Sequence, residues 1–157
     1  MTVGAYSFRL QQGQAGQIGD SSIRRIDSKY ITAGEIEFGV ALAQVLGATD
    51  HVAPWTAAAN GSVVGISVFD ATKIRTLTEV GGKYTGPSDV AVLTFGRILV
   101  APSVQVGGGD KAYLVEGTGA FTNVAAGNTY VGIYITSGGP VGDFPLAELN
   151  FDLEVTY

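Results

Sequence analysis

The chain holds one histidine, His51, in the stretch TDHVAPW. A hydrolytic triad needs an imidazole beside a nucleophile and an orienting acid. Asp50 is its sequence neighbour, but adjacent residues on an extended chain point apart. No Gly-x-Ser-x-Gly elbow is present to present a serine. His51 therefore reads as a loop residue near Trp55, and no catalytic residue is expected. Metal chemistry fares no better: there is no cysteine, and no cluster of histidines has ligand spacing. The run Gly107-Gly108-Gly109-Asp110 faintly resembles a calcium-binding glycine–aspartate repeat. It occurs once, where such sites need stacked copies, so it reads as a tight hairpin turn. The spaced acids of an EF-hand are absent. Gly117-Thr118-Gly119 lacks a third glycine, and no Gly-Lys-Ser/Thr cradles a phosphate. The acids Glu35, Glu37, Glu148, Asp152 and Glu154 fall on polar faces of alternating segments, where solvent or a partner waits. Asn60-Gly61-Ser62 matches a glycosylation sequon, which matters only in a secretory chain. No metal and no cofactor are expected.

Other residues suggest contacts rather than catalysis. Arg97 lies inside an otherwise apolar run, VAVLTFGRILV at 90–100. A buried guanidinium needs a carboxylate or carbonyl partner, either within the fold or across a subunit interface. Residues 11–22, QQGQAGQIGDSS, are polar, rich in Gln and Gly and without periodicity. They bury too little apolar surface to hold one conformation alone, and read as an extended arm or long loop that orders against a neighbour. Gln11, Gln12, Gln14, Gln17 and Asp20 from this stretch, Arg24 and Arg25 after it, and Arg97 are the candidate interface residues.

Charge points the same way. Hydrophobic residues make up 46% of the chain and charged residues 15%, against about 25% charged in an average soluble domain. A surface so poor in charge, with aromatics on its strands, suits a chain covered by neighbours. The net charge is −5, and a phosphate backbone would repel this body, so no nucleic-acid partner is expected. The first 30 residues carry four basic side chains against two acidic ones, a net of +2, leaving about −7 for the rest. Attraction between the basic N-terminal segment of one copy and the acidic body of the next is one reading of this split, and chance is the other. No apolar run approaches 18 residues, and the N-terminus lacks the pattern of a signal peptide, so no membrane partner is expected.

The elements that must position these residues are strands. Alternation with period two runs through 5–10, 35–42, 63–69, 130–135 and 147–157. At 130–135, Val131, Ile133 and Ile135 oppose Tyr130, Gly132 and Tyr134, as on a half-buried strand. Residues 90–100 suit a strand buried on both faces, with a bulge at Gly96. Residues 111–116 form a short strand after a glycine turn. The Ala and Leu density at 40–48 allows a short helix that Gly47 would end. The 23 glycines show no G-X-Y period and mark turns between these segments. The expected fold is all-β: a compact antiparallel sandwich or barrel of short strands with an extended N-terminal arm. Residues 1–30 hold the N-terminal strand and the arm, and residues 31–157 the β-domain, as one domain overall.

The order of the motifs is itself informative. GQIGD at 16–20, EIEFGVAL at 35–42 and VVGISVFDA at 63–71 are followed by KYTGPSDVAVLTFGRILVAPS at 83–103. GGGDKAYLVEGTGAFTN at 107–123 and ELNFDLEVTY at the end complete the series. This succession resembles the small cement, or head decoration, proteins of tailed phages over about residues 16–155. Gly96-Arg97, Gly109-Asp110 with Tyr113, and Gly119 to Asn123 occupy the places of that family's Gly-Arg strand and Gly-Asp-x-x-Tyr hairpin. The closing strand fits less closely, which leaves its partner open. The resemblance implies a non-enzymatic virion protein that sits as a homotrimer on the capsid exterior, over local or true three-fold axes. Its implied partner is the major capsid protein, whose neighbouring subunits it bridges against internal DNA pressure, after assembly in the bacterial host cytoplasm. A tail-tube or head-fibre component and a carbohydrate-binding β-sandwich are the competing expectations.

Overall fold

In the computed structural model of the chain, eleven strands are formed among the described residues, which are 14–18, 23–32, 34–47, 50–56, 62–70, 83–142 and 144–153. The longest, β7 (Ser88–Val100), is the spine. It pairs antiparallel with β1 (Arg25–Ile31), β5 (Val63–Ser67) and β11 (Ala147–Asp152). With β3 (Ala41–Gln44), β4 (Val52–Pro54), β8 (Lys111–Leu114), β9 (Phe121–Thr122) and β10 (Thr129–Tyr134) these strands make one nine-stranded sheet. Its order is β4-β3-β5-β7-β11-β10-β8-β9, with β1 added on β7. The sheet curls into an antiparallel half-barrel, as an all-β chain of short strands and glycine turns implies. The strands expected at 5–10 and over the last four residues, and Asn60 and Gly61 of the sequon, lie outside the described residues.

Two cores explain why β7 is apolar nearly throughout. Leu93, Ile98 and Val100 face the main core inside the curl, with Leu114, Phe121, Tyr134, Leu149 and Phe151. Val90 and Val92 face a second core with Ile36, Phe38, Leu42 and Tyr84, partly supplied by a separate two-stranded ribbon of β2 (Glu35–Glu37) and β6 (Lys83–Thr85). The Lys83 ammonium and Glu35 carboxylate pair at 2.9 Å on that ribbon's surface.

Four local expectations are corrected. The alternating run at 35–42 is not one strand: β2 stops, Phe38-Gly39 turn, and β3 begins. The fully buried Ser67 fills the break, its hydroxyl donating to Glu37 O at 2.6 Å and accepting from Val40 N–H at 3.0 Å. The helix allowed at 40–48 is instead β3 and a turn at Leu46-Gly47, because Ala41, Leu42 and Ala43 are all buried between β4 and β5. The β7 bulge lies at Thr94, where β1 skips from Leu93 to Phe95, while the β11 ladder passes Gly96 without a shift. In β10 the ladder to β8 skips Val131, and this reverses the side-chain phase. Tyr134 is therefore buried, its hydroxyl donating to Thr122 O at 3.1 Å, while Ile133 and Ile135 face out.

The closing strand behaves as its alternation dictates. Ala147, Leu149 and Phe151 are buried and Glu148, Asn150 and Asp152 face the other way. Its partners are β7 and β10.

The two ends of the sheet meet. Trp55, which follows β4, is buried in the same main core as Phe121 of β9. Gly119, in the turn from β8 to β9, sits so close that a Cβ there would fall 2.2 Å from the Trp55 carbonyl oxygen. Its φ of +72° is also one that side chains disfavour. Side-chain packing on Trp55 thus joins β4's end of the curl to β9's.

Candidate interaction surface

The strand β7 gathers the described candidates around its residues 95–99. Arg25, the first residue of β1, lies opposite Phe95. Arg24 crosses β7 at Gly96, where an added Cβ would lie 2.7 Å from Arg24 Cβ, so only a glycine admits the crossing. Arg97 follows directly. Leu99 takes Gly16 N–H on its carbonyl at 2.7 Å and gives its own N–H to Gln17 O at 3.0 Å. Gly16 O accepts in turn from Phe69 N–H at 2.8 Å, and Ile18 packs against the main core. Residues 14–18 are thus held on the chain's own body, while the side chains of Gln14 and Gln17 stay exposed. Gln14 N–H donates to Gln17 Oε1 at 3.0 Å. Gln11, Gln12 and Asp20 lie outside the described residues.

Arg97 is not buried. Its side chain is 40% exposed and meets Glu148 of β11 at 3.6 Å, within the same chain. The odd residues of β7's second half face away from the main core, beside Glu148 and Asn150. Of the two partner types left open by the sequence, a carboxylate of the same chain is present.

Among the described residues the exposed large apolar side chains are aliphatic except for Phe144, rather than the strand aromatics expected. Ile23 (85%), Val141 (84%) and Leu46 (74%) stand out furthest, and Phe144 is the one aromatic among the exposed large apolar residues described. Tyr30, Tyr113 and Tyr130 are half-buried, the last two in a T-shaped contact at 5.8 Å. Scattered exposed apolar residues are ordinary. Here most fall in close pairs: Ile23 with Ile26, Val45 with Leu46, Ile133 with Ile135, and Val141 with Phe144. Val141 and Phe144 ride on a tied loop, in which Gly139 N–H donates to Phe144 O at 2.9 Å and Gly142 N–H to Gln105 Oε1 at 3.0 Å. No sequence signal marked these pairs; the phase reversal at Val131 exposes one, and loop geometry another.

His51 is half-buried and meets the Tyr30 ring edge-on at 5.3 Å. A cleft of about 360 Å³ beside β1 carries Asp27, Asp70, Asp89 and Tyr84. The Tyr84 hydroxyl donates to Val68 O at 2.6 Å. Burial, reinforced by the Asp70 charge, pushes its pKa up to about 12, so it offers no base at neutral pH. The acids and histidine of the described residues form no group of three able to hold a metal ion. Asp110 is a turn residue, as its glycines suggested. Its carboxylate accepts from Gly107 N–H at 2.8 Å and Asn123 Nδ2 at 3.1 Å, and these bonds, in that order, hold its pKa below the usual carboxylate value.

A family model described as "Structural cement protein (E217 gp24/Pam3 gp6)", a phage cement family, matches residues 3–150. Among solved structures, a chain of "The capsid of Myoviridae Phage XM1" has a similar fold, with a TM-score of 0.66 at 14% identity. The likeness covers 90% of this chain and 91% of that one. No curated protein matches the sequence.

Proposed function

The chain belongs to the phage structural cement protein family, and from that membership we propose that it is a non-enzymatic capsid decoration protein that binds the outer face of the head and ties neighbouring major capsid subunits together. The match over residues 3–150 carries this reading, because it spans nearly the whole sheet. The surface supports it physically. The paired apolar residues at 133/135 and 141/144 lie on β10 and the loop after it, and supply apolar anchors. The polar and basic groups Gln14, Gln17, Arg24, Arg25 and Arg97 lie along β7 and supply directional contacts. Gln11, Gln12 and Asp20 belong to the same proposed contact set.

The working unit is a homotrimer over three-fold positions of the lattice, on the virion exterior, assembled in the host cytoplasm. A cyclic trimer repeats one modest interface around an axis. Three weak shell contacts made together gain roughly 10²–10⁴ in apparent affinity over one. Neither nucleic acid nor membrane takes part.

The test is to mix purified protein with expanded, undecorated heads and pellet them. Saturable co-sedimentation at one trimer per three-fold position is expected. Protein that stays in the supernatant at micromolar concentration overturns the reading.

A further inference from the structure

β1 has one edge on β7 and, among the described residues, no strand pairs with its second edge over much of its length. Tyr30 marks which backbone groups face that second edge. Its N–H donates to Asp50 O at 2.8 Å, and it bridges His51, on the side away from β7. Backbone groups alternate between the two edges of a strand. The N–H and C=O of Ile26 and Ser28 therefore point outward with those of Tyr30. Arg25, by contrast, turns its carbonyl to β7, where it accepts from the Thr94 hydroxyl at 3.3 Å. Among the described residues no strand covers Ile26 or Ser28, and residues 25–28 are exposed on both faces. Exposed edges are templates for another strand, and proteins blunt them with charge. This edge carries charges of both signs, Arg25 and Asp27, around an exposed Ile26.

We propose that this edge pairs with the β1 edge of a second copy of the chain, antiparallel about a two-fold axis through Ile26. In that register Ile26 faces Ile26, each Arg25 faces the other copy's Asp27, Arg24 faces Ser28, and Ile23 faces Lys29. Opposite charges meet twice and no like charges meet, which favours cross-strand pairing. The alternative centred on Asp27 sets Asp27 against Asp27 and Arg25 against Lys29, and is disfavoured. The alternative centred on Ser28 needs the backbone of Tyr30, which Asp50 and His51 already occupy. Each copy offers one such edge, so the contact closes at two. It joins two half-barrel sheets into one, and on an assembled shell it links neighbouring decoration units. The inference concerns the free protein and does not rest on shell attachment.

The test uses the full chain in solution. Ser28→Pro removes an outward N–H that β7 does not use, a change edge strands tolerate. Its melting curve should match the wild type, while sedimentation should show assemblies of half the wild-type size. Arg25→Asp and Asp27→Arg should each weaken association about tenfold or more, and the double exchange R25D/D27R should recover it to within about threefold, because the charges are then complementary again. The absence of cysteine from the chain gives a direct check: Ile26→Cys should form a disulfide-linked dimer under mild oxidation, and Leu46→Cys, exposed elsewhere, should not. A halved assembly size with head binding retained supports the pairing and leaves the decoration reading standing. Unchanged assembly size in Ser28→Pro overturns it, as does failure of the double exchange to recover. Loss of head binding with self-association intact also overturns it, and assigns the edge to a shell strand instead.

Discussion

At the scale of single residues, exposure decides what each side chain contributes. Arg97 stood out by type, a charge within an apolar run, but its surroundings depend on strand phase. With its side chain 40% exposed and Glu148 at 3.6 Å, it pairs in solvent-screened surroundings. Arg97→Ala should therefore cost less than about 1 kcal/mol in chemical denaturation, rather than the several expected of a buried ion pair. A loss of about 3 kcal/mol or more would contradict that placement. Ser67 is the opposite case. Nothing in VVGIS distinguishes its serine from a solvent-facing one, yet it is fully buried and bridges Glu37 O and Val40 N–H. Ser67→Ala leaves both backbone groups without the hydroxyl and should cost about 1–3 kcal/mol. Chemical denaturation of that variant measures it; a neutral result would mean that β2 and β3 join without the bridge. The serine was illegible because its partners lie about thirty residues away in sequence.

At the scale of elements, alternation was legible where one strand ladder ran unbroken and misleading where a bulge intervened. β11 reads true from Ala147 to Asp152 because its ladder to β7 is regular. β10 reads true only to Val131, because its skip against β8 is set jointly by the two strands and leaves no mark on either alone. The exposed Ile133 and Ile135 follow from that skip. The β2–β6 ribbon depends on Tyr84, whose ring packs edge-on against Phe38 at 5.4 Å. Its folded pKa, about 12, lies above the ordinary value of 10.0. The stabilisation tied to its neutral hydroxyl is complete below about pH 10 and is lost as pH rises toward 12. Tyr134 is shifted in the same direction, also by burial first, with Asp110 adding to it. Urea melts at about pH 9 and about pH 11.5 should show stability falling across that window, and Tyr84→Phe should flatten part of the fall. Equal pH dependence in the variant would mean the ring is solvated.

At the scale of the whole molecule, two long-range closures make the half-barrel one unit, and neither is written in local sequence. One is the Gly119 turn seated on the Trp55 carbonyl. The other is the 14–18 segment, which spans from Leu99 of β7 to Phe69 beyond β5. The Gln- and Gly-rich composition of that segment argued for disorder, and composition cannot register that Gly16 and Gln17 find backbone partners or that Ile18 finds the core. Gly119→Ala should destabilise by about 2–4 kcal/mol, since it combines a disfavoured φ with a steric clash against rigid backbone. The second closure separates folding from attachment within one stretch of chain. Removing residues 1–20 takes away Gly16, Gln17 and Ile18, and should lower the melting temperature by about 4–8 °C per kcal/mol lost, or less if the chain behaves as larger domains do. Removing residues 1–13 leaves those contacts in place. It should weaken binding to undecorated heads, since Gln11 and Gln12 then leave the contact set. A 1–13 deletion that binds heads as the full chain does would move the attachment surface onto the apolar pairs of β10 and its loop. A deletion that melts early would show that the first thirteen residues brace the fold instead.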